Sequence, residues 1–200
     1  MFKGTSASAG IGIGKAVIVE EAELVITRNE VADAEAEIQR FKGALEKTIA
    51  ATQKMADDLA SRVGEKEAEI MQGHMMLLSD PMLTGEIENS VKNDKVNCEF
   101  AIENVCNMYA DMFASMGDEL MQQRATDMRD IKVRMQRTLM GLESVDVSLL
   151  PKGSILVAKD LTPSMTAGIN PENVSGIVTE LGGKTSHSAI LARALEIPAV

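Results

Sequence analysis

The run Gly182-Gly183-Lys184-Thr185-Ser186-His187-Ser188-Ala189-Ile190-Leu191-Ala192-Arg193 holds one of only two histidines in the chain. Its surroundings suit a phosphoryl group. Gly182 and Gly183 remove the side chains that would crowd an approaching anion, while Thr185 and Ser186 supply hydroxyls and can cap a helix. The pattern predicts a short helix over Ser188–Leu195, so the His187 imidazole falls at or near a helix N-terminus, where N–H groups favour negative charge. A neutral imidazole is nucleophilic and can accept a phosphoryl group and pass it on. A glycine turn, a helix cap and an incidental histidine would use the same residue types. The density of phosphate-compatible groups favours the chemical reading.

The elements that must position this run change character twice. Residues 4–20 are glycine-rich and lead into Ala16-Val17-Ile18-Val19, which reads as a strand. Gly10-Ile11-Gly12-Ile13-Gly14-Lys15 invites comparison with a phosphate loop. It fails: Ala16 stands where Ser or Thr is needed, no glycine lies five residues before Gly14, and the dinucleotide fingerprint lacks its third glycine. A structural turn is the better expectation. From about residue 29 to 141 the chain reads as helix almost throughout. Thr27 and Glu30 have capping-box spacing, and Ile38, Phe41, Leu45, Ile49, Thr52, Met55 and Leu59 form one apolar stripe. Further helices are predicted over Glu65–Ser79, stopped by Asp80-Pro81, and over Leu83–Lys92, Cys98–Met116 and Asp118–Met140. Short connections between them suggest an antiparallel bundle.

After Gly141 strands return. Ile155–Ala158 and Val174–Thr179 read as short strands, Thr162-Pro163-Ser164 opens a short helix, and another strand begins at Ala199-Val200. Alternating strands and helices mean α/β, and the early strand most economically joins the later sheet. The expected architecture is an α/β domain, 1–26 plus 142–200 and incomplete at its C-terminus, with an all-α helical bundle subdomain, 27–141, inserted.

Composition narrows the function classes. The 200 residues carry a net charge of −10, with no Trp and one Tyr, Tyr109. Base stacking has little to work with, and the charge opposes nucleic acid and favours a basic partner. Fourteen methionines and few aromatics suggest helix packing through small and flexible side chains. Cys98 and Cys106 are eight residues apart on a helix, roughly 12 Å along its axis, too far for a disulfide. Met1-Phe2-Lys3-Gly4 has no apolar signal core, and no run reaches membrane-spanning length. A cytoplasmic protein is the expectation.

Gly182 to Arg193 resembles the phosphohistidine signature shared by enzyme I of the bacterial sugar phosphotransferase system, pyruvate phosphate dikinase and phosphoenolpyruvate synthase. Gly4 to Gly14, Gly73-His74-Met75-Met76-Leu77-Leu78-Ser79-Asp80, Arg124 to Ile131 and Asp160-Leu161-Thr162-Pro163-Ser164 are similar to enzyme I in particular. The resemblance spans essentially the whole chain and matches only the N-terminal part of enzyme I. It implies a phosphohistidine (swivelling) α/β domain and an inserted bundle that binds the phosphocarrier protein HPr. It also implies a phosphoenolpyruvate- and magnesium-binding C-terminal barrel beyond these residues. The chain itself is then expected to hold no cofactor or metal and to be a monomer, the full-length enzyme a homodimer. Two departures stand out. Lys184 replaces a frequent Arg, keeping charge but losing bidentate geometry, and Pro81-Met82 replaces acidic residues after Asp80.

By this resemblance His187 is the phosphorylated nucleophile. Thr166 matches a threonine that hydrogen-bonds the imidazole and so holds its tautomer and orientation; an ordinary helix-start threonine is the alternative. Lys184 either offsets phosphate charge or is a solvated turn lysine. Arg193 either approaches the phosphate or, as we prefer, pairs with a carboxylate. His74, Met76, Leu77, Asp80, Leu83 and Arg124 match positions that contact HPr. The residues partly agree: Met71, Met75, Met76, Leu77 and Leu78 are too many in succession for one narrow core stripe, so some should be exposed as an adaptable contact surface. Met71 and Leu78 are expected in the core, and His74, Met76 and Leu77 in contact. Glu65, Glu67, Glu69 and Asp80 would speed association with a basic partner. Two other readings remain: a helical interaction module without chemistry, and a fragment of a dikinase or synthase.

Overall fold

A computed structural model describes residues 4–200; Met1, Phe2 and Lys3, where the absence of a signal core was read, lie outside the described residues. The elements run β1 (Lys15–Val19), α1 (Ala34–Arg62), α2 (Glu65–Leu78), α3 (Pro81–Asp94), α4 (Cys98–Ser115), α5 (Glu119–Met140), β2 (Ser154–Ala158), α6 (Pro163–Ala167), β3 (Val174–Thr179) and α7 (His187–Ala194), with a 3-10 turn at Val147–Leu149. They divide into two units. One comprises residues 4–22, 55–69 and 145–200, the other residues 23–54 and 70–144.

The first unit is built on a parallel sheet in the order β1-β2-β3. Ala16 stands opposite Ile155, and Leu156 opposite Ile177, so the early strand does join the late ones. Residues 198–200 also run beside β3: Ile177 N–H donates to Pro198 and Thr179 N–H to Val200, both at 2.9 Å. Leu156, Val174, Ile177, Ile169, Ala192 and Ile197 close the core of this unit. Each fully buried Leu or Ile among them contributes about 1.5–3 kcal/mol of apolar transfer. Lys15 is the first residue of β1, paired with Ser154, so the Gly10–Lys15 run is a lead-in to a strand. Residues 55–69, expected in the helical subdomain, group with this unit. Here Arg62, the last residue of α1, donates at 2.6 Å to the carbonyls of Ala167 and Ile169 at the end of α6, where helix-end oxygens lack intrahelical donors.

The second unit is all helix. Ile38, Phe41, Leu78, Ile87, Val91, Ile102, Met128, Ile131 and Met135 form its core. Arg40 of α1 grips Glu37 and Glu99 together, at 2.6 and 2.8 Å. Cys98 and Cys106 are free and buried, and burial pushes both thiols up to about 12, which leaves them inert. Among the described residues no helix is long and apolar enough to cross a membrane.

Two expected helix starts move. The Thr27–Glu30 capping box does not form. Val31 N–H donates to Lys95 and Asn97 N–H to Asn29, so this backbone pairs with residues 95–97 and cannot begin a helix. Helix α1 starts at Ala34 instead, where the Asp33 carboxylate takes the N–H groups of Glu35 and Ala36 at 3.0 Å. Helix α3 begins at Pro81 rather than Leu83: Asp80 caps it through Met82 N–H at 2.8 Å, and Pro81 fits the first helical position.

Candidate functional site

Strand β3 ends at Thr179, and the chain turns through Gly182 into α7. Gly182 has φ +110°, a conformation that side chains other than hydrogen rarely adopt, so the turn itself demands this glycine. Gly183 is different. A Cβ there would meet open space, so the protein's own packing places no demand on the residue.

Ser186 is the N-cap of α7. Its hydroxyl donates to the Gly183 carbonyl at 2.8 Å, and its oxygen accepts Ala189 N–H at 3.2 Å. Ser188 Oγ lies 2.9 Å from Ser186 Oγ; with the Ser186 proton on Gly183, Ser188 is the donor of that bond. Thr185 is exposed in the preceding turn and does not cap the helix. His187 comes next as the first residue of α7, half-buried. It therefore sits at the end of the helix where backbone dipoles favour an anion.

The turn is tied down from behind. One guanidinium nitrogen of Arg193 donates at 3.0 Å to the carbonyls of Ala7 and of Lys184. The expectation that Arg193 pairs with a carboxylate is thus corrected: backbone oxygens of the turn and of the N-terminal segment are its partners. Lys184 accepts this bond through its backbone while the residue stays exposed. A cleft of about 770 Å³ lies beside the turn, lined by Gly182, Gly183, Ser186 and Ser188 and also by Thr5 and Thr179.

Thr166 arrives on α6, which packs against α7. It is buried, and its hydroxyl donates to the Thr162 carbonyl at 2.8 Å. The proton is committed there, so towards an imidazole the threonine oxygen can serve only as an acceptor. Among the described residues no group of three or more His, Cys, Asp or Glu side chains is placed to hold a metal ion.

The second group of expected residues lies in the helical unit. Helices α3, α4 and α5 pack in sequence through connections of three residues, so neighbours run antiparallel. The start of α3, the end of α4 and the start of α5 therefore share one end of the unit, and α2 ends there too. Tyr109 of α4 ties this end together. Desolvation, and then the Glu86 carboxylate that takes its hydrogen bond, raise its hydroxyl above the ordinary range, and Asp80 adds to the effect. Met76 is 72 % and Met82 68 % exposed, and Met112, Met116 and Leu120 are exposed as well. Asp80 lends one carboxylate oxygen to the α3 cap, and Leu77 is half-buried against the core.

Two of the expected contacts are corrected. Leu83 is 2 % exposed and belongs to the core. His74 is 0 % exposed, its Nε2 3.2 Å from Asp127 and its Nδ1 3.6 Å from Asp130. Neither can touch a partner directly. Met71 and Leu78 are fully buried as expected. Asp127 and Asp130 were part of the Arg124–Ile131 run but had no role of their own there, although both fall beside Met128 and Ile131 on the buried face of α5. Carboxylates on a core face are the signal of a buried polar partner. Met112, outside the buried stripe of α4, and Met116, its C-cap residue, carried the converse signal of apolar side chains off the core face.

Comparison with known proteins matches both regions. The model for the N-terminal domain of PEP-utilising enzymes matches residues 3–124, and that for the mobile domain of PEP-utilising enzymes matches residues 150–200. Phosphoenolpyruvate-protein phosphotransferases of Bacillus subtilis and Listeria monocytogenes are 42 % and 44 % identical over 199 residues, covering 100 % of this chain and 35 % of theirs. The solution structure of enzyme I (nEIt) superposes with a TM-score of 0.85 at 40 % identity, covering 100 % of this chain and 82 % of that one. The N-terminal domain of a nitrogen enzyme I superposes at 0.67 with 27 % identity, covering 96 % of this chain and 79 % of that one. With one model matching residues 3–124 of 200 and the second matching the region around His187, the chain belongs to the family of PEP-utilising enzymes, spanning 35 % of the length of these curated relatives.

Proposed function

We propose that the chain carries a phosphoryl group on His187 and exchanges it with a histidine of the phosphocarrier protein HPr. The observation that carries this reading is the placement of His187: half-buried, first in α7, behind a glycine turn with open space at Gly183. An imidazole nitrogen of His187 attacks the phosphorus as the N–P bond to the carrier histidine breaks, and the reverse step returns it. Two imidazoles trading one phosphoryl group need little covalent help, so positioning and local charge dominate. The helix start supplies partial positive charge to the arriving anion. Thr166 accepts an imidazole N–H and fixes the ring, and exposed Lys184 offsets phosphate charge as a point cation.

HPr docks on the methionine end of the helical unit, where Met76, Met82 and Leu77 give adaptable apolar contact and Asp80 suits a basic partner. Arg124, with a third of its side chain exposed, faces an oxygen acceptor of the carrier. In the longer protein the primary donor is phosphoenolpyruvate, bound with magnesium by a further domain, and the pathway is sugar uptake in the cytoplasm. The names and identities of the relatives support this reading.

The test is to mix the chain with HPr phosphorylated on its histidine and follow the label. Reversible transfer to His187 is expected, with no labelling by phosphoenolpyruvate alone. HPr binding without any label on His187 would favour the non-catalytic interaction module.

A further inference from the structure

We propose that Gly73, His74 and Asp127 form a seat that fixes the Arg124 guanidinium at the docking end of the helical unit. On this view Gly73, which has no functional group of its own, controls how tightly the partner binds. The inference rests on the docking reading above and extends it to residues that no partner touches.

Asp127 is the hinge of the arrangement. One carboxylate oxygen lies 3.2 Å from His74 Nε2, and the other lies 3.6 Å from a guanidinium nitrogen of Arg124. The His74 and Asp127 side chains are 0 % and 7 % exposed, whereas that of Arg124 is 33 % exposed. On the far side of the ring Nδ1 faces Asp130 at 3.6 Å. A buried carboxylate held from two directions has little rotational freedom. It therefore presents a fixed anion to the one member of the group that reaches solvent.

Gly73 completes the seat from α2. A Cβ at this position would come within 2.6 Å of an Arg124 guanidinium nitrogen and 3.5 Å of its central carbon. The guanidinium thus lies across the bare α-carbon of Gly73, and any side chain there must push it away. Glycine inside a helix costs stability relative to alanine, and this contact gives a reason for one in the middle of α2. The obstructed group is the far end of a flexible side chain, so alanine displaces Arg124 without disturbing the helices. Position and stability are therefore separable at this residue.

The experiment measures affinity for HPr by calorimetry, with thermal unfolding alongside, for Gly73→Ala, Arg124→Ala, the double variant and His74→Gln. Gly73→Ala should keep or raise the unfolding temperature while weakening HPr about tenfold, as expected for loss of a charged hydrogen bond. In the Arg124→Ala background it should add nothing. His74→Gln, which keeps an N–H donor for Asp127, should bind within about threefold of the parent. The Arg124 Nε–Hε resonance supplies a readout without a partner: sharp in the parent, averaged in Gly73→Ala. Wild-type affinity for Gly73→Ala beside weakened Arg124→Ala would overturn the seat and leave the docking reading intact. Unchanged affinity for Arg124→Ala would remove Arg124 from the interface and overturn both.

Discussion

The chain has two histidines, and the structure treats them in opposite ways. His187 opens a helix, half-buried, behind a turn whose glycine at 183 faces open space. His74 sits in the middle of a helix, wholly buried, between Asp127 and Asp130. One imidazole is half-buried at a helix start, while the other is enclosed between two carboxylates. Residue type alone cannot distinguish these roles; the surroundings do. The same contrast runs through the two units. The α/β unit places His187 where a helix begins after a strand and a turn, and holds that turn with side-chain bonds from Ser186 and Arg193 to backbone carbonyls. The helical unit holds polar groups inside and leaves Met76, Met82, Met112 and Met116 outside.

The contrast breaks most sharply under alanine substitution. His187→Ala should abolish all phosphoryl labelling while changing stability by less than about 1 kcal/mol, as at other incompletely buried positions. His74→Ala should remove the ring that lies between the buried Asp127 and Asp130 carboxylates. The expected loss is about 3 kcal/mol, seen as a fall of about 6–12 °C in Tm. If His187→Ala instead cost the larger share of stability, the roles assigned to the two histidines would be reversed.

Smaller effects sharpen the comparison. Ser186→Ala removes the cap of α7 and the tie to Gly183, and should cost about 1 kcal/mol. The labelling rate of His187 should fall severalfold, because the turn loses its anchor; an unchanged rate would separate the cap from the chemistry. At the helical unit, hydrogen bonds from Arg40 hold the Glu37 carboxyl below its ordinary 4.5. A carboxyl depressed by folding adds stability above its unfolded pKa and loses it as pH falls through the folded value. Glu37→Gln should therefore flatten the acid limb of helix loss as pH falls below about 4.5, monitored by circular dichroism. The effect is modest because Arg40 is partly solvent-screened.

Much of this was legible in the sequence because it depends on local signals. The strand at Ala16–Val19, the helix ended by Asp80-Pro81 and the cap at Ser186 each depend on neighbours within a few residues. The false start at Thr27–Glu30 shows the limit. Its capping spacing was sound, but residues 95–97, distant in sequence, took the backbone bonds that a helix would have used. His74 failed for the same reason. Its burial depends on Asp127 and Asp130, 53 and 56 positions later, and nothing near residue 74 announces them. Arg193 was legible as a charge but not as a clamp on carbonyls, since backbone acceptors have no signature in the sequence.

The central claim is that His187 is the relay residue of the chain. Its most direct measurement is phosphorus NMR of the chain mixed with histidine-phosphorylated HPr, with tryptic mapping of the label. The account predicts a phosphoimidazole signal on the peptide holding His187, lost on adding excess unphosphorylated HPr. A stable label on His74 or any other residue, or HPr binding with His187 never labelled, would contradict it.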